Sequence, residues 1–210
     1  MAARPKSSKS ICGVPTSKAI MYAMGVLEVN ASMGLVVAAP TGGSSGVIPG
    51  VFAAVSEEFG FDEDAIVNAL FNAAAVGYII TRNASVSGAE AGCQAEVGSA
   101  AAMAASAVTQ LMGGIPAQCL CAAGIALSNL MGLVCDPIGG LVEEPCQKRN
   151  AIGAANALIC AEMALAGIKS IIPFDEMVEC MLKVGIALPC ELRETARGGI
   201  AVAPSAPKFD

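Results

Sequence analysis

The sequence predicts an all-α fold, a compact bundle of helices rich in alanine and glycine with functional loops between them. Runs that alternate apolar and polar residues, as strands do, are nearly absent, whereas apolar residues recur at helical spacing along most of the 210-residue chain. Twenty-three glycines allow helices to approach one another closely. The predicted division is a flexible lead over residues 1–16, one helical domain over 17–202 and a tail over 203–210.

The first half of the domain contains three predicted helices separated by breaks. The first covers about 17–33, and the Gly/Ser/Pro segment "APTGGSSGVIPG" after it is a loop. A second helix covers about 49–59 and stops before a glycine. The third begins after Asp62, whose carboxylate is expected to cap its first turn, and ends near Asn83.

The second half contains four more predicted helices. Each is a run with helical apolar spacing, over about 90–112, 117–131, 151–166 and 174–188. They are separated by "NASVSG", by "GGIP" and by the long irregular stretch "GLVCDPIGGLVEEPCQKRN", in which glycine and proline interrupt any regular pattern. The second half therefore holds the longest predicted helix and the longest predicted loop.

Composition excludes several functions. Only 14% of residues are charged, against roughly 25% in an ordinary soluble domain, so we expect the chain to bury much of its surface in a hetero- or homo-oligomer. The net charge is −6 and no basic cluster is present, which argues against nucleic-acid binding. The chain has no histidine, so a Ser-His-Asp or Cys-His site within it is impossible. A base must be another side chain or belong to another chain.

Targeting patterns favour a reducing cytoplasm. The nine cysteines form no short-spaced framework and follow no secretory pattern, so disulfides are not expected. The stretch between Glu96 and Asp136 carries no charge and is long enough for a membrane hairpin. It also contains glutamine, asparagine and many alanines, which favour a buried helical hairpin in a soluble core over insertion into a membrane.

Three cysteines stand beside glycine or proline in turn-like settings: Cys93 in "AGCQ", Cys135 in "VCDP" and Cys146 in "EPCQ". Three such thiolates can hold three irons of a cubane cluster and leave the fourth iron open as a Lewis acid. The alternative is that all three are structural core residues, because their wide spacing matches no compact motif. Of the others, four lie within helical patterns, where cysteine behaves as a small buried residue: Cys119, Cys121, Cys160 and Cys180.

Six polar residues are candidate substrate contacts: Asn30, Ser32, Thr41, Ser44, Ser45 and Lys148. The loop "PTGGSSG" offers backbone N–H groups and hydroxyls suited to a carboxylate, although it lacks the lysine of a P-loop. The segment "LEVNASMG" places Asn30 and Ser32 at a helix end, and Lys148 follows Cys146 with a second cation, Arg149. The alternatives are a plain turn, helix caps and a solvated helix start.

Five long segments carry a family resemblance. "EVNASMG", "APTGGSSGVIPG", "NASVSGAEAGCQAEVGSAAAMAA", "NLMGLVCDPIGGLVEEPCQKRNAIGAANAL" and "LPCELRETARGGIAV" resemble the α subunit, or α domain, of the iron–sulfur-dependent L-serine dehydratases. The resemblance extends over residues 17–202 in the family's order. It implies a [4Fe–4S] cluster held by Cys93, Cys135 and Cys146, with no pyridoxal phosphate. It also implies elimination of water from L-serine to give pyruvate and ammonia, with the open iron polarising the hydroxyl.

The resemblance also implies a partner. In this family a β subunit or β domain carries a serine-rich motif with a histidine near the substrate, and this chain has neither. We therefore expect the general base to come from a β chain and this chain to be inactive alone. Family α chains have a longer N-terminal helical region, so a truncated or degenerate non-catalytic homologue is one alternative. A related cluster-dependent lyase acting on threonine or cysteine is another.

Overall fold

A computed structural model describes residues 10–208, and the front part of the predicted lead, residues 1–9, lies outside this range. Eight α-helices and one π-helix form the described chain: α1 Gly13–Ala31, α2 Val47–Phe59, α3 Glu63–Asn83, α4 Gly88–Ala91, the π-helix Gln94–Gly98, α5 Ser99–Leu111, α6 Pro116–Leu130, α7 Cys146–Leu165 and α8 Phe174–Ala187. Residues 10–208 contain no β-strand, and a single isolated parallel bridge joins Cys135 to Arg193. The predicted all-α fold is confirmed.

Helix α5 is the centre of the bundle. Every residue from Ser99 to Thr109 is buried, and α2, α3, α6 and α7 pack around this helix. Alanine occupies most of these positions, so the neighbouring helices approach its backbone closely. The hydrophobic stretch that could have formed a membrane hairpin is therefore largely interior.

Helix α1 crosses α2 at two glycines. A Cβ on Gly46 would lie 2.3 Å from the carbonyl oxygen of Ala23, and one on Gly50 would lie 2.7 Å from the Ala23 nitrogen. No side chain fits between backbones at that separation. The crossing positions α1 and the loop before α2 against the rest of the bundle.

Helix α3 begins as predicted and exposes an apolar face. Asp62 Oδ1 accepts a hydrogen bond from the Ala65 nitrogen at 2.8 Å, which confirms the predicted cap. Among the described helices, α3 is long and apolar enough to cross a membrane by length and composition, with 28% of its most apolar window buried. Core helices of soluble proteins meet the same criterion. The expectation that the chain is not inserted in a membrane therefore stays a prediction.

The long helix expected over 90–112 is wrong as one element. Gly92 adopts a φ of +78°, which ends α4, and a π-helix precedes α5. The backbone N–H of Gln94 turns outward to donate to the Leu133 carbonyl at 2.9 Å. Helical apolar spacing does not register a single left-handed glycine, so the pattern concealed this break.

Other boundaries differ by a few residues. Helix α1 begins at Gly13, α2 at Val47 and α7 at Cys146, each earlier than expected. The irregular stretch therefore ends at Pro145, a residue suited to a helix start. All nine cysteines are free thiols. The expectation of buried helical cysteines is right for Cys119 and Cys160 and wrong for Cys121, which is half-buried, and Cys180, which is exposed.

Candidate functional site

The fold brings Cys93, Cys135 and Cys146 together from three separate segments. Cys93 follows the break at Gly92, Cys135 lies in the extended segment after α6, and Cys146 is the first residue of α7. All three are buried, with 2%, 3% and 8% of their surface exposed. Ionisation of Cys146 would raise the pKa of Cys93, and ionisation of either would raise the pKa of Cys135, so the three thiols lie near one another.

Burial controls the titration of these thiols. It is the main cause that raises the pKa of Cys93 to about 12 and that of Cys146 to about 11, and it raises the pKa of Cys135 further. The Glu96 carboxylate raises all three values, whereas the Arg149 guanidinium lowers those of Cys93 and Cys146. The thiols are therefore protonated at neutral pH, and a bound metal would displace their protons.

The C-terminal segment, residues 190–202, lies against one side of the site. The Cys135 nitrogen donates to the Leu192 carbonyl at 2.9 Å, and the Cys135 carbonyl accepts from the Glu194 nitrogen at 2.7 Å. Glu194 has a left-handed φ of +63°. Non-glycine residues adopt this conformation rarely, and such strain concentrates at functional sites.

A buried ion pair fixes the same segment to α7. Asp136 Oδ1 lies 2.8 Å from Arg149 Nη2, and Asp136 Oδ2 accepts from the Ile200 nitrogen at 2.9 Å. Arg149 Nη1 donates to the Val134 carbonyl at 2.7 Å. One aspartate thus joins the segment before Cys146, the start of α7 and the C-terminal segment.

Glu96 is the carboxylate that acts on all three thiols, and Glu194 acts on two of them, Cys135 and Cys146. The Thr41 hydroxyl donates to Glu96 Oε1 at 2.8 Å, and the Cys135 Sγ lies 3.9 Å from Glu96 Oε2. Burial raises the pKa of Glu96, and the hydrogen bond from Thr41 partly opposes that rise. A Cβ on Gly88 would lie 2.7 Å from Oε2 and 3.0 Å from the Cys135 Sγ, so the glycine leaves room for both groups.

Asn150 links the Gly/Ser loop, residues 40–46, to Cys146. Its Nδ2 donates to the carbonyls of Gly43 at 2.7 Å and Cys146 at 2.8 Å, and its Oδ1 accepts from the Gly46 nitrogen at 3.0 Å. The side chain is fully buried. Sequence reasoning missed both Asn150 and Glu96. The available signal was the setting of each residue. Asn150 comes directly before the small apolar run "AIGAANAL", and Glu96 comes shortly before the alanine-rich run "SAAAMAA".

The predicted substrate contacts in the loop differ in what they can reach. Thr41 is at the site through Glu96. The Ser44 hydroxyl lies 3.0 Å from the Thr41 hydroxyl, and the Ser45 hydroxyl donates to the Gly42 carbonyl at 2.8 Å. Both serines are buried, so their hydroxyls stabilise the loop. Asn30 Nδ2 also donates to the Gly42 carbonyl, at 2.8 Å, and supports the loop from α1.

The two remaining candidates have other partners. The Ser32 hydroxyl donates to the Glu28 carbonyl at 2.8 Å and caps the exposed end of α1. The exposed Lys148 pairs with Glu144. Neither contacts the three thiols in the described structure. The cation that lowers the pKa of Cys93 and Cys146 is Arg149, the neighbour of the predicted substrate contact Lys148.

The donor set fits a cluster better than a single ion. Within residues 10–208, no group of three or more histidine, cysteine, aspartate or glutamate side chains is close enough to hold one metal ion. A cubane cluster separates its ligands further, because each thiolate binds a different iron. Three buried thiols from three separate segments, with glycine at position 88 beside Cys135, supply the thiolate donors that such a cluster needs.

Comparison with known proteins identifies the family. A sequence model of the family "Serine dehydratase alpha chain" matches residues 1–201. The chain is 50% identical over 200 residues to the probable L-serine dehydratase alpha chain of Bacillus subtilis (strain 168), and 51% identical over 195 residues to the L-serine dehydratase alpha chain of Peptoniphilus asaccharolyticus. These alignments cover 95% and 93% of the chain and 67% of each relative.

A third relative matches along most of both chains. The chain is 49% identical over 188 residues to the probable L-serine dehydratase alpha chain of Latilactobacillus sakei, and the alignment covers 90% of each. The match therefore includes the segments that carry the three cysteines, Glu96 and the Gly/Ser loop. The chain belongs to the serine dehydratase alpha chain family.

Proposed function

We propose that this protein is the α subunit of an iron–sulfur L-serine dehydratase, which eliminates water from L-serine to give pyruvate and ammonia. The observation that carries the proposal is the meeting of Cys93, Cys135 and Cys146, from three separate segments, in one buried site. They would hold a [4Fe–4S] cluster, and no pyridoxal phosphate is required. When bound, the cluster would supply a Lewis acid for the hydroxyl that leaves as water.

The chain's own residues would bind and shield the substrate. Thr41 and Asn30 support the loop that also carries Ser44 and Ser45, and this loop would form one wall of the substrate site. The C-terminal segment forms another wall through Cys135 and Asp136. Exclusion of water by these walls would strengthen polar contacts to the substrate. Ser32 and Lys148 were proposed as contacts, and their observed partners support structural roles instead.

A second chain would complete the chemistry. The reaction must remove the Cα proton before the aminoacrylate product can hydrolyse to pyruvate and ammonia. With no histidine in the chain, we propose that the base belongs to a β subunit that carries a histidine and a serine-rich motif. The three relatives named as alpha chains support the existence of a partner. We place the complex in the cytoplasm, where thiols stay reduced.

Anaerobic measurement of ammonia and 2-oxo acid formation tests the proposal. The chain is loaded with iron and sulfide and assayed with L-serine, L-threonine and L-cysteine, alone and together with a β chain of an iron–sulfur serine dehydratase. We expect turnover only in the complex, with L-serine the preferred substrate. Preference for another of the three amino acids would instead identify a related lyase.

Matched cysteine variants complete the test. Cys135→Ser should abolish activity, whereas Cys160→Ser should retain it, because Cys160 is equally buried but lies in the helical core beside Asn156. Turnover by the chain alone would contradict the need for a partner. A cluster-loaded complex that turns over none of the three amino acids would identify a non-catalytic homologue.

A further inference from the structure

We infer that Glu96 binds the ammonium group of the amino-acid substrate and so selects amino acids over hydroxy acids; this inference rests on the proposed function. Glu96 is half-buried and lies between the Gly/Ser loop and Cys135. It makes no ion pair with a lysine or arginine in residues 10–208. A carboxylate taken out of water without a cation is costly, so the site lacks one positive charge.

The groups around Glu96 supply no positive charge either. Thr41 donates one neutral hydrogen bond to Oε1, and the Cys135 thiol is a weak donor near Oε2. The charge that acts on Glu96 is that of another carboxylate, Glu194 on the C-terminal segment. Arg149 forms an ion pair with Asp136 and lowers the pKa of the thiols Cys93 and Cys146. A ligand that enters between these groups therefore meets net negative charge on the Glu96 side.

This charge distribution fixes the orientation of an amino acid. The substrate carries an ammonium group and a carboxylate as separate substituents of Cα. Its carboxylate would be repelled by Glu96 if it bound against the Gly/Ser loop, although the loop's hydroxyls first suggested such a contact. Its ammonium would complete a charge-assisted hydrogen bond to Oε2.

The local backbone holds Glu96 in a fixed orientation. Thr41 fixes Oε1, and a Cβ on Gly43 would lie 3.1 Å from that same oxygen. A Cβ on residue 88 would lie 2.7 Å from Oε2, so glycine at this position lets the backbone pack directly against the carboxylate. Glu96 also lies in the π-helix, three residues after Cys93, a distortion that often occurs at functional sites. The carboxylate is thus oriented before any substrate binds.

Steady-state kinetics with two ligands tests the inference. For the cluster-loaded complex with a β chain, the affinity for L-serine is measured as its KM. The affinity for 3-hydroxypropionate, which has the same hydroxyl and carboxylate but hydrogen in place of the ammonium group, is measured as its inhibition constant. Glu96→Gln should weaken L-serine binding about tenfold or more and leave 3-hydroxypropionate binding unchanged within about twofold. Cluster content, measured by visible absorbance, should not change.

Two further variants control for charge and for folding. Glu143→Gln removes an exposed carboxylate near Cys146 and should leave both affinities unchanged. Thr41→Val keeps the Glu96 charge but releases Oε1, so it should weaken L-serine binding by a smaller factor. Equal effects of Glu96→Gln on both ligands, or none on L-serine, would overturn the inference. A wild-type complex that holds its cluster and binds neither ligand would contradict the proposed function itself.

Discussion

Two groups of buried cysteines lie in different parts of this molecule. Cys119 and Cys160 are within the regular helices α6 and α7, where Cys160 contacts Asn129 and Asn156. The other group, Cys93 with Cys135 and Cys146, lies where the backbone leaves or enters a helix. The helical core is held by close packing of small residues, whereas the region around the second group is held by charged and polar side chains.

Burial alone does not distinguish the groups. It raises the pKa of Cys160 to about 12, as it does for Cys93. The difference is in the charged neighbours, because Glu96 acts on all three thiols of the second group and Arg149 on two of them, whereas Cys160 is influenced by Asn129 and Cys121. A buried cysteine is therefore a candidate ligand when charged side chains and an irregular backbone surround it, and a packing residue when it lies inside a regular helix with uncharged neighbours.

The largest expected effect comes from breaking the ion pair between Asp136 and Arg149 beside the site. Asp136→Ala leaves the Arg149 guanidinium, whose side chain is 14% exposed, without its carboxylate partner and removes the acceptor for Ile200. We expect the free energy of unfolding to fall by about 3–5 kcal/mol, measured by urea denaturation. Limited proteolysis should also detect release of the C-terminal segment.

An exposed ion pair provides the control for Asp136. Glu179→Ala removes the partner of Lys183 on the surface of α8, where the two side chains are 64% and 75% exposed. The change in the free energy of unfolding should stay within about 0.5 kcal/mol. Equal losses for the two variants would contradict the special role given to charge at the site.

The next effect concerns space in the helical core. Gly46→Ala places a methyl group 2.3 Å from the Ala23 carbonyl oxygen, so α1 and α2 must separate. The free energy of unfolding should fall by about 1–3 kcal/mol. Gly25→Ala, in the middle of α1 with no atom within 4 Å of its new methyl, should instead raise it by about 0.5–1 kcal/mol. The same sign for both substitutions would refute the close-packing explanation.

The smallest expected difference is between the two cysteine groups when no metal is bound. Because burial raises the pKa of Cys93 and Cys160 alike, both thiols should react slowly with iodoacetamide at pH 8. Exposed Cys180 should react at least about 100-fold faster, followed by peptide mass spectrometry. Fast modification of Cys93 alone would show that the site is open to solvent.

Much of the fold could be predicted from the sequence, because helical periodicity and glycine or proline breaks are local signals. Asp62 capped α3 as expected, and the α6 and α8 boundaries were close to those observed. The broken helix around Gly92 could not be predicted, because its left-handed backbone is stabilised by Leu133 and by the Gln94 side chain, which accepts from the Gly132 nitrogen. These partners are distant in sequence.

The candidate site divides in the same way. The three cysteines were identified from local context, and the structure brings them together. Glu96 and Arg149 could not be assigned, since only the fold shows that the first faces Thr41 and Cys135 and that the second, not Lys148, acts on the thiols. The prediction that Ser44 and Ser45 contact the substrate stays a prediction, and the structure adds that their hydroxyls donate to loop carbonyls, which the sequence does not reveal.

Anaerobic reconstitution with iron and sulfide tests the difference between the cysteine groups most directly. Iron content and visible absorbance are measured for the wild type, Cys93→Ser and Cys160→Ser. We predict about four iron atoms per wild-type chain and per Cys160→Ser chain, and loss of most of the iron in Cys93→Ser. Equal iron in all three proteins, or none in the wild type, would contradict a cluster held by Cys93, Cys135 and Cys146.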